Sequence, residues 1–104
     1  MFDSPPLSFY SPVVIVSFQS KALRDFFLDD NQSGIRPDLV ERVRGRLQAM
    51  HRAKTIDDLR LPGWRLHALQ GKPKRHAIAI NGPWRITFEW IGADAVRVDL
   101  EQYH

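Results

Sequence analysis

The chain has 104 residues and no cysteine, and its 15 lysines and arginines against 12 acidic residues give a formal charge of +3. This length fits one domain with one core, and the lack of cysteine excludes disulfides, thiolate nucleophiles and cysteine zinc sites. No apolar run approaches the roughly 20 residues needed to cross a bilayer. We therefore expect a cytoplasmic protein with no membrane partner, and the basic balance modestly favours a polyanionic one.

The N-terminal residues 1–12 resist both a helix and a central strand, because three prolines interrupt them. We expect an extended or mobile arm there, followed by a single domain over residues 13–104. The next run, Val13–Phe18, is apolar on both faces and rich in β-branched residues. This composition predicts a covered strand.

Two amphipathic helices are predicted next. Ser20 is a suitable cap for a helix over Lys21–Asp30, which Gly34 then breaks. Pro37 suits the first position of a second, longer helix with apolar residues every three or four positions. The exposed side of this second helix would be basic, with Arg42, Arg44, Arg46 and Arg52.

The rest of the chain predicts a capped turn and then β structure. Thr55–Leu59 fits a single capped turn, and Trp64–Leu66 a first short strand. Asn81-Gly82-Pro83 is a hairpin signal because Asn-Gly tolerates positive φ. The strands of this antiparallel meander are predicted at His76–Ile80, Trp84–Trp90 and Ala95–Leu100. The order predicts an α+β fold.

Alternation along the last two strands separates an apolar from a polar face. The apolar set, which we expect to pack on the helices, comprises Trp84, Ile86, Phe88, Trp90, Val96, Val98 and Leu100. The opposite set, Arg85, Thr87, Glu89, Arg97 and Asp99, should leave a polar, open face where a substrate could lie.

Several side chains suit cleavage of RNA without a metal. That reaction needs a base for the ribose 2′-hydroxyl, an acid for the leaving oxygen and cations for the phosphorane. The candidates are His67, Lys72, Lys74, Arg75, Arg85, Tyr103 and His104. The ordinary interpretations are a surface histidine at His67, a cross-strand ion pair for Arg85 with Asp99 or Glu89, and a frayed terminus.

Four segments resemble the HigB toxins of the RelE superfamily: Leu66–Gly71, Asn81–Phe88, Gly92–Ala95 and Glu101–His104. The resemblance spans about residues 13–104. It implies a RelE-like fold, with an N-terminal strand and two helices packed on an antiparallel sheet. It also implies an endoribonuclease of a type II toxin-antitoxin system that cuts mRNA in the A site of the 70S ribosome, without metal or cofactor. The implied inhibitor is a HigA-like helix-turn-helix antitoxin.

The resemblance also implies roles for matching residues. His67 would be a general acid or base, and Arg85 would stabilise the scissile phosphate. Tyr103 and His104 would orient the nucleotide and assist proton transfer.

The chain departs from the family pattern at two positions. Gln70 stands where a lysine is common, and Gln102 where an acidic residue is common. Glutamine supplies no positive charge, so the cation beside the phosphate could come instead from Lys72 or Lys74. RNA contacts are expected at Gln70, Lys72, Lys74 and Arg75. A second hypothesis follows, namely a non-catalytic RNA-binding or antitoxin-binding module that has kept the toxin fold.

Overall fold

A computed structural model describes residues 15–102. The elements are α1 (Lys21–Asp29), α2 (Val40–Arg52), β1 (His67–Ala68), β2 (His76–Asn81), β3 (Trp84–Ile91) and β4 (Asp94–Gln102). The four strands form one antiparallel sheet in chain order. This architecture agrees with the predicted α+β class. The expected arm over residues 1–12 and the terminal pair Tyr103 and His104 lie outside the described residues.

Residues 15–18 lie along β4 without forming a regular strand. Ile15 and Phe18 make isolated parallel bridges to Ala95 and Val98. Ile15 is buried, but Val16 is 56% exposed, so this run is not covered on both faces. The strand expected over Val13–Phe18 is therefore reduced, in its described part, to two isolated bridges.

Helix α1 begins at the predicted residue and ends within one residue of the predicted end. The Ser20 hydroxyl accepts a hydrogen bond from the Leu23 backbone N–H at 3.1 Å, which satisfies one unpaired donor of the first turn. The helix ends because Asp30 adopts a left-handed conformation with φ 55°. Gly34 is thus not the residue that breaks it.

Helix α2 follows a 3₁₀ turn at Pro37–Leu39. Of the arginines expected on its exposed side, Arg42 and Arg52 are exposed, whereas Arg44 and Arg46 are partly buried. Arg46 Nε donates to the Ala79 carbonyl at 3.0 Å, and Arg42 Nη1 donates to the Ile80 carbonyl at 3.3 Å. Arg44 pairs with Asp30 at 2.8 Å. The contacts of Arg42 and Arg46 satisfy carbonyls that β1 leaves unpaired, because β1 pairs only with the start of β2.

Two predictions concern residues 55–66, which precede the sheet; one of them is confirmed and the other is wrong. A capping box between Thr55 and Asp58 opens the 3₁₀ turn Ile56–Leu59, as expected. The strand predicted at Trp64–Leu66 is wrong, because Arg65 has φ 55° and interrupts extended backbone. Strand β1 begins only at His67.

The two long hairpins fix which side chains share a face. Strands β2 and β3 meet across Gly82-Pro83, with φ 55° at Gly82. Between β3 and β4 the register shifts, because Val96 pairs with Glu89 while Asp99 pairs with Thr87. Two β4 residues in between oppose one β3 residue, as in a β-bulge. Val96 therefore shares the face of Glu89, and the prediction that Val96 lies on the apolar face is wrong.

One face of the sheet packs against both helices to form the core. Its strand residues include Ile78, Ile80, Ile86, Phe88 and Val98. The helices contribute Leu23, Phe26, Val43, Leu47 and Met50. The three tryptophans, Trp64, Trp84 and Trp90, are partly buried against this core, which fits a packing role. With both helices on the core face, the other sheet face carries the polar side chains.

Candidate functional site

The strand register places most candidate residues on one face, here named the polar sheet face. Directly opposed residues of antiparallel strands share a face. One row runs from His67 through Ala77 and Thr87 to Asp99. The next row contains Ala79, Arg85 and Glu101. The small side chains of Ala77 and Ala79 thus lie on β2, between the strand of His67 and the charged residues of β3 and β4.

His67 lies at the edge of this face. Its ring is exposed, and its Nδ1 is 2.8 Å from the Arg65 carbonyl oxygen. A proton on Nδ1 is held by this carbonyl, which leaves Nε2 as the acceptor of a neutral imidazole. This arrangement suits proton abstraction by Nε2.

Arg85 lies on the central strand of the polar sheet face. Its Nη1 donates to the carbonyl oxygens of Gly82 at 2.7 Å and Trp84 at 2.9 Å. These two contacts fold the side chain back onto its own hairpin. Glu89, one of the ion-pair partners expected for Arg85, is instead bound by Arg97, whose Nε lies 2.6 Å from the carboxylate.

Arg75 reaches across the sheet from the residue before β2. Its Nη2 donates to the Thr87 hydroxyl at 2.6 Å and also to the Glu101 carboxylate, which pairs with it as a salt bridge. The Thr87 hydroxyl donates to the same carboxylate. The three side chains form a closed triangle over β3 and β4.

The other RNA-contact candidates lie on the exposed loop between β1 and β2. Gln70, Lys72 and Lys74 are exposed, whereas Arg75 is partly buried. A hydrogen bond of 2.7 Å from the Leu69 N–H to the Arg75 carbonyl closes this loop. The structure therefore separates Arg75, on the sheet, from the neighbouring residues of the loop.

The polar sheet face is less open than expected and contains a groove of about 370 Å³. Thr87 is fully buried and Glu89 is 6% exposed, because the arginines from neighbouring positions lie over them. The groove is lined by Gln19, Pro73, Arg75, Glu89, Arg97, Asp99 and Glu101. Burial, and to a smaller extent the charge of Glu101, raises the pKa of Asp99 above its ordinary value.

The remaining described histidines lie elsewhere. His76 belongs to the core face, where its ring centroid is 5.8 Å from that of Phe88. Burial and the nearby charge of Lys74 lower the pKa of His76. His51 is on α2 against Phe27. Within residues 15–102, His67 is thus the histidine on the face of Arg85, and no group of three His, Asp or Glu side chains is arranged to hold a metal ion.

Comparison with known proteins identifies the family. A family model described as the RelE-like toxin of type II toxin-antitoxin system HigB matches residues 16–104. The chain belongs to this family. "Endoribonuclease HigB" from Proteus vulgaris is 36% identical over 92 residues, which cover 88% of this chain and 100% of the relative. "Toxin HigB-1" from Vibrio cholerae serotype O1 is 30% identical over 91 residues, covering 85% of this chain and 96% of the relative.

The site of this HigB-like toxin includes residues that the sequence analysis did not single out. Glu101 and Thr87 hold Arg75, and Asp99 lines the groove beside them. Strand alternation predicted Thr87 and Asp99 on the face of Arg85, but not their part in holding Arg75 or lining the groove. The contact from Arg75 to β4 could not be predicted, because it joins residues 26 positions apart.

The two departures from the family pattern occupy different surroundings. Gln70 is exposed on the β1–β2 loop, whereas Gln102 pairs with Trp84 at the end of β4. By alternation Gln102 faces away from Glu101, which shares the face of Arg85. The acidic side chain of β4 nearest to the candidate arginines is therefore Glu101.

Proposed function

We propose that this HigB-like toxin is a ribosome-dependent endoribonuclease that cuts mRNA without a metal. The ribose 2′-hydroxyl would attack the adjacent phosphate in line, leaving a 2′,3′-cyclic phosphate and a 5′-hydroxyl. The observation that carries the proposal is the polar sheet face, on which His67, Arg75 and Arg85 lie opposite the helical layer. The endoribonuclease name of the Proteus vulgaris relative supports it.

The residues divide into proton carriers and phosphate ligands. His67 takes or gives a proton through Nε2, and Arg85 stabilises the charge that develops on the phosphorane. Tyr103 and His104, which follow directly on β4, orient the nucleotide and assist proton transfer. Gln70, Lys72 and Lys74 contact the flanking RNA from the loop.

The partners follow from the family and the reaction. A type II toxin works with a cognate antitoxin, and we propose a HigA-like helix-turn-helix protein that holds the toxin inactive. The 70S ribosome presents mRNA in its A site and helps to align the reacting atoms. We place this activity in the cytoplasm, within a single toxin domain over residues 13–104 that follows the arm. No helix within residues 15–102 is long and apolar enough to cross a membrane.

Induced expression in bacteria, combined with mapping of mRNA 5′ ends, tests the proposal. We expect growth arrest and cuts within translated codons for the parent chain. His67→Ala, Arg85→Ala and deletion of His104 should each abolish arrest, since loss of an acid/base group costs ~100-fold to 10,000-fold in rate. Arg52→Ala, at an exposed position that ends α2, is the matched control and should remain toxic.

Circular dichroism of each variant separates a lost activity from a lost fold. If all three folded variants arrest growth like the parent, the assigned residues are not the catalytic ones. If the parent neither arrests growth nor cuts mRNA on ribosomes, the non-catalytic binding module replaces the endoribonuclease.

A further inference from the structure

The triangle of Arg75, Thr87 and Glu101 fixes a cation over the middle of the polar sheet face. Arg75 begins outside β2, yet its guanidinium ends between β3 and β4. An unrestrained arginine loses rotamer entropy when a ligand orders it. Because Thr87 and Glu101 already hold Arg75, much of this ordering precedes RNA binding.

The triangle leaves donors of Arg75 available. A guanidinium has five N–H donors, and both contacts of Arg75 are made through Nη2. Within residues 15–102, Nε and Nη1 of Arg75 donate to no protein group. A phosphate can therefore be bound without breaking the contacts that hold the side chain.

Glu101 also places Arg75 close to the strand position of Arg85. Strand pairing places Glu101 directly opposite Arg85 on the same face. The Glu101 carboxylate therefore holds Arg75 beside the strand position of Arg85. We propose that Glu101 is a positioning residue, which together with Thr87 holds Arg75 as a second cation for the scissile phosphate. This inference rests on the endoribonuclease proposed above.

The negative charge of Glu101 gives the proposal a distinctive signature. A carboxylate on this face repels the RNA backbone in the ground state, but it keeps Arg75 where charge develops in the transition state. Removing the charge should therefore tighten RNA binding and slow the chemical step. A purely structural residue would not produce these two opposite effects.

Steady-state cleavage of ribosome-bound mRNA by the purified full chain measures both effects. For Glu101→Gln we expect kcat to fall ~10-fold to 100-fold, the scale of a misplaced group, while KM falls. Thr87→Val keeps the side-chain shape and the net charge, and should lower kcat without changing KM. Asp29→Asn is the matched control: it removes one negative charge at an exposed position of α1, outside the polar sheet face, and kcat should not change.

A double-mutant cycle tests whether Glu101 acts through Arg75. Arg75→Ala should lower kcat, and Glu101→Gln should add nothing in that background. An equal further loss would show that Glu101 acts by itself and would overturn the inference. So would an unchanged kcat in Glu101→Gln and Thr87→Val when the parent cleaves. If the parent does not cleave at all, the proposed function has failed and the inference fails with it.

Discussion

Asp99 forms no ion pair within residues 15–102, whereas two other carboxylates of the polar sheet face are paired. Glu89 pairs with Arg97, and Glu101 with Arg75. Asp99 accepts a hydrogen bond from the Leu100 N–H at 2.8 Å. Its raised pKa, caused first by burial, means that the folded chain binds a proton at Asp99 more strongly than the unfolded chain does. Ionised Asp99 therefore costs folding free energy at neutral pH.

Asp99→Asn should stabilise the protein at neutral pH. The gain should be below about 0.5 kcal/mol, as for other partly exposed substitutions. It should fade as the pH falls through the raised pKa of the parent, and vanish below the ordinary value of 3.8, where Asp99 is protonated in both states. Urea unfolding at pH 7 and at pH 3 measures the difference.

Asp58 supplies a control of opposite sign. Backbone N–H groups of Lys54 and Thr55 donate to its carboxylate and lower its pKa. Asp58→Asn should therefore destabilise the protein at pH 7 and lose that effect as the pH falls below the ordinary pKa. Equal behaviour of the two variants would contradict the argument from pKa shifts.

Single residues were predicted well where local pattern decides their position. The Ser20 cap, the Thr55 capping box and the positive φ of Gly82 all depend on neighbours in sequence. Long-range contacts decide the others. Arg42 and Arg46 satisfy carbonyls of β2 more than 30 positions away, and no periodicity in the helix distinguishes them from solvated arginines.

At the scale of elements, the turn after α1 shows a close packing contact. A Cβ added at Gly34 would lie 2.7 Å from the Cβ of Ala22 on α1. Gly34 therefore permits the chain to return against the helix, although the helix itself has already ended at Asp29. The sequence marked this glycine as a break, whereas its function is steric.

Gly34→Ala should destabilise the fold by about 1–3 kcal/mol, the cost of overpacking. Gly45→Ala is the matched control, because Gly45 is exposed within α2 and no heavy atom lies within 4 Å of its added Cβ. The control should gain about 0.5–1 kcal/mol from helix propensity. Thermal unfolding of both variants checks the pair, and equal shifts would contradict the steric argument.

The strands were predicted more closely than the segments that flank them. Strong alternation placed β2, β3 and β4 within two residues of their observed bounds. The sequence did not reveal the bulge near Arg97, whose φ of 53° is stabilised by tertiary contacts to Ser17 and Glu89. The face of Val96 and the strand at Trp64–Leu66 were predicted wrongly for the same reason. In both places the backbone leaves the extended region, at Arg97 and at Arg65.

At the scale of the whole molecule, the positive charge divides between internal contacts and exposed positions. The arginines of α2 at 42, 44 and 46 are engaged with the sheet and with Asp30. Lys72 and Lys74 remain exposed beside the polar sheet face. We therefore expect the long-range attraction of RNA to come from the β1–β2 loop and not from α2.

Binding of single-stranded RNA should weaken steeply with salt. The four proposed phosphate contacts, from Lys72, Lys74, Arg75 and Arg85, should give a log-log slope of about −3. The double variant Lys72→Ala/Lys74→Ala should reduce that slope by roughly 1.4. Arg52→Ala/Lys54→Ala removes the same charge at exposed positions by the end of α2, and should leave the slope near the parent value; fluorescence anisotropy measures both.

Residues 15–19, which lie beside β4, affect how copies of the chain associate. An open strand edge is a template on which another chain can add a strand. Here the Val16 N–H donates to the Ala95 carbonyl, and the Gln19 N–H to the Val98 carbonyl, each at 2.8 Å. These hydrogen bonds occupy the outer edge of β4 over this stretch. Residues 15–19 therefore block strand addition at this edge and reduce edge-to-edge aggregation at high protein concentration. They do so without contributing a complete strand to the sheet.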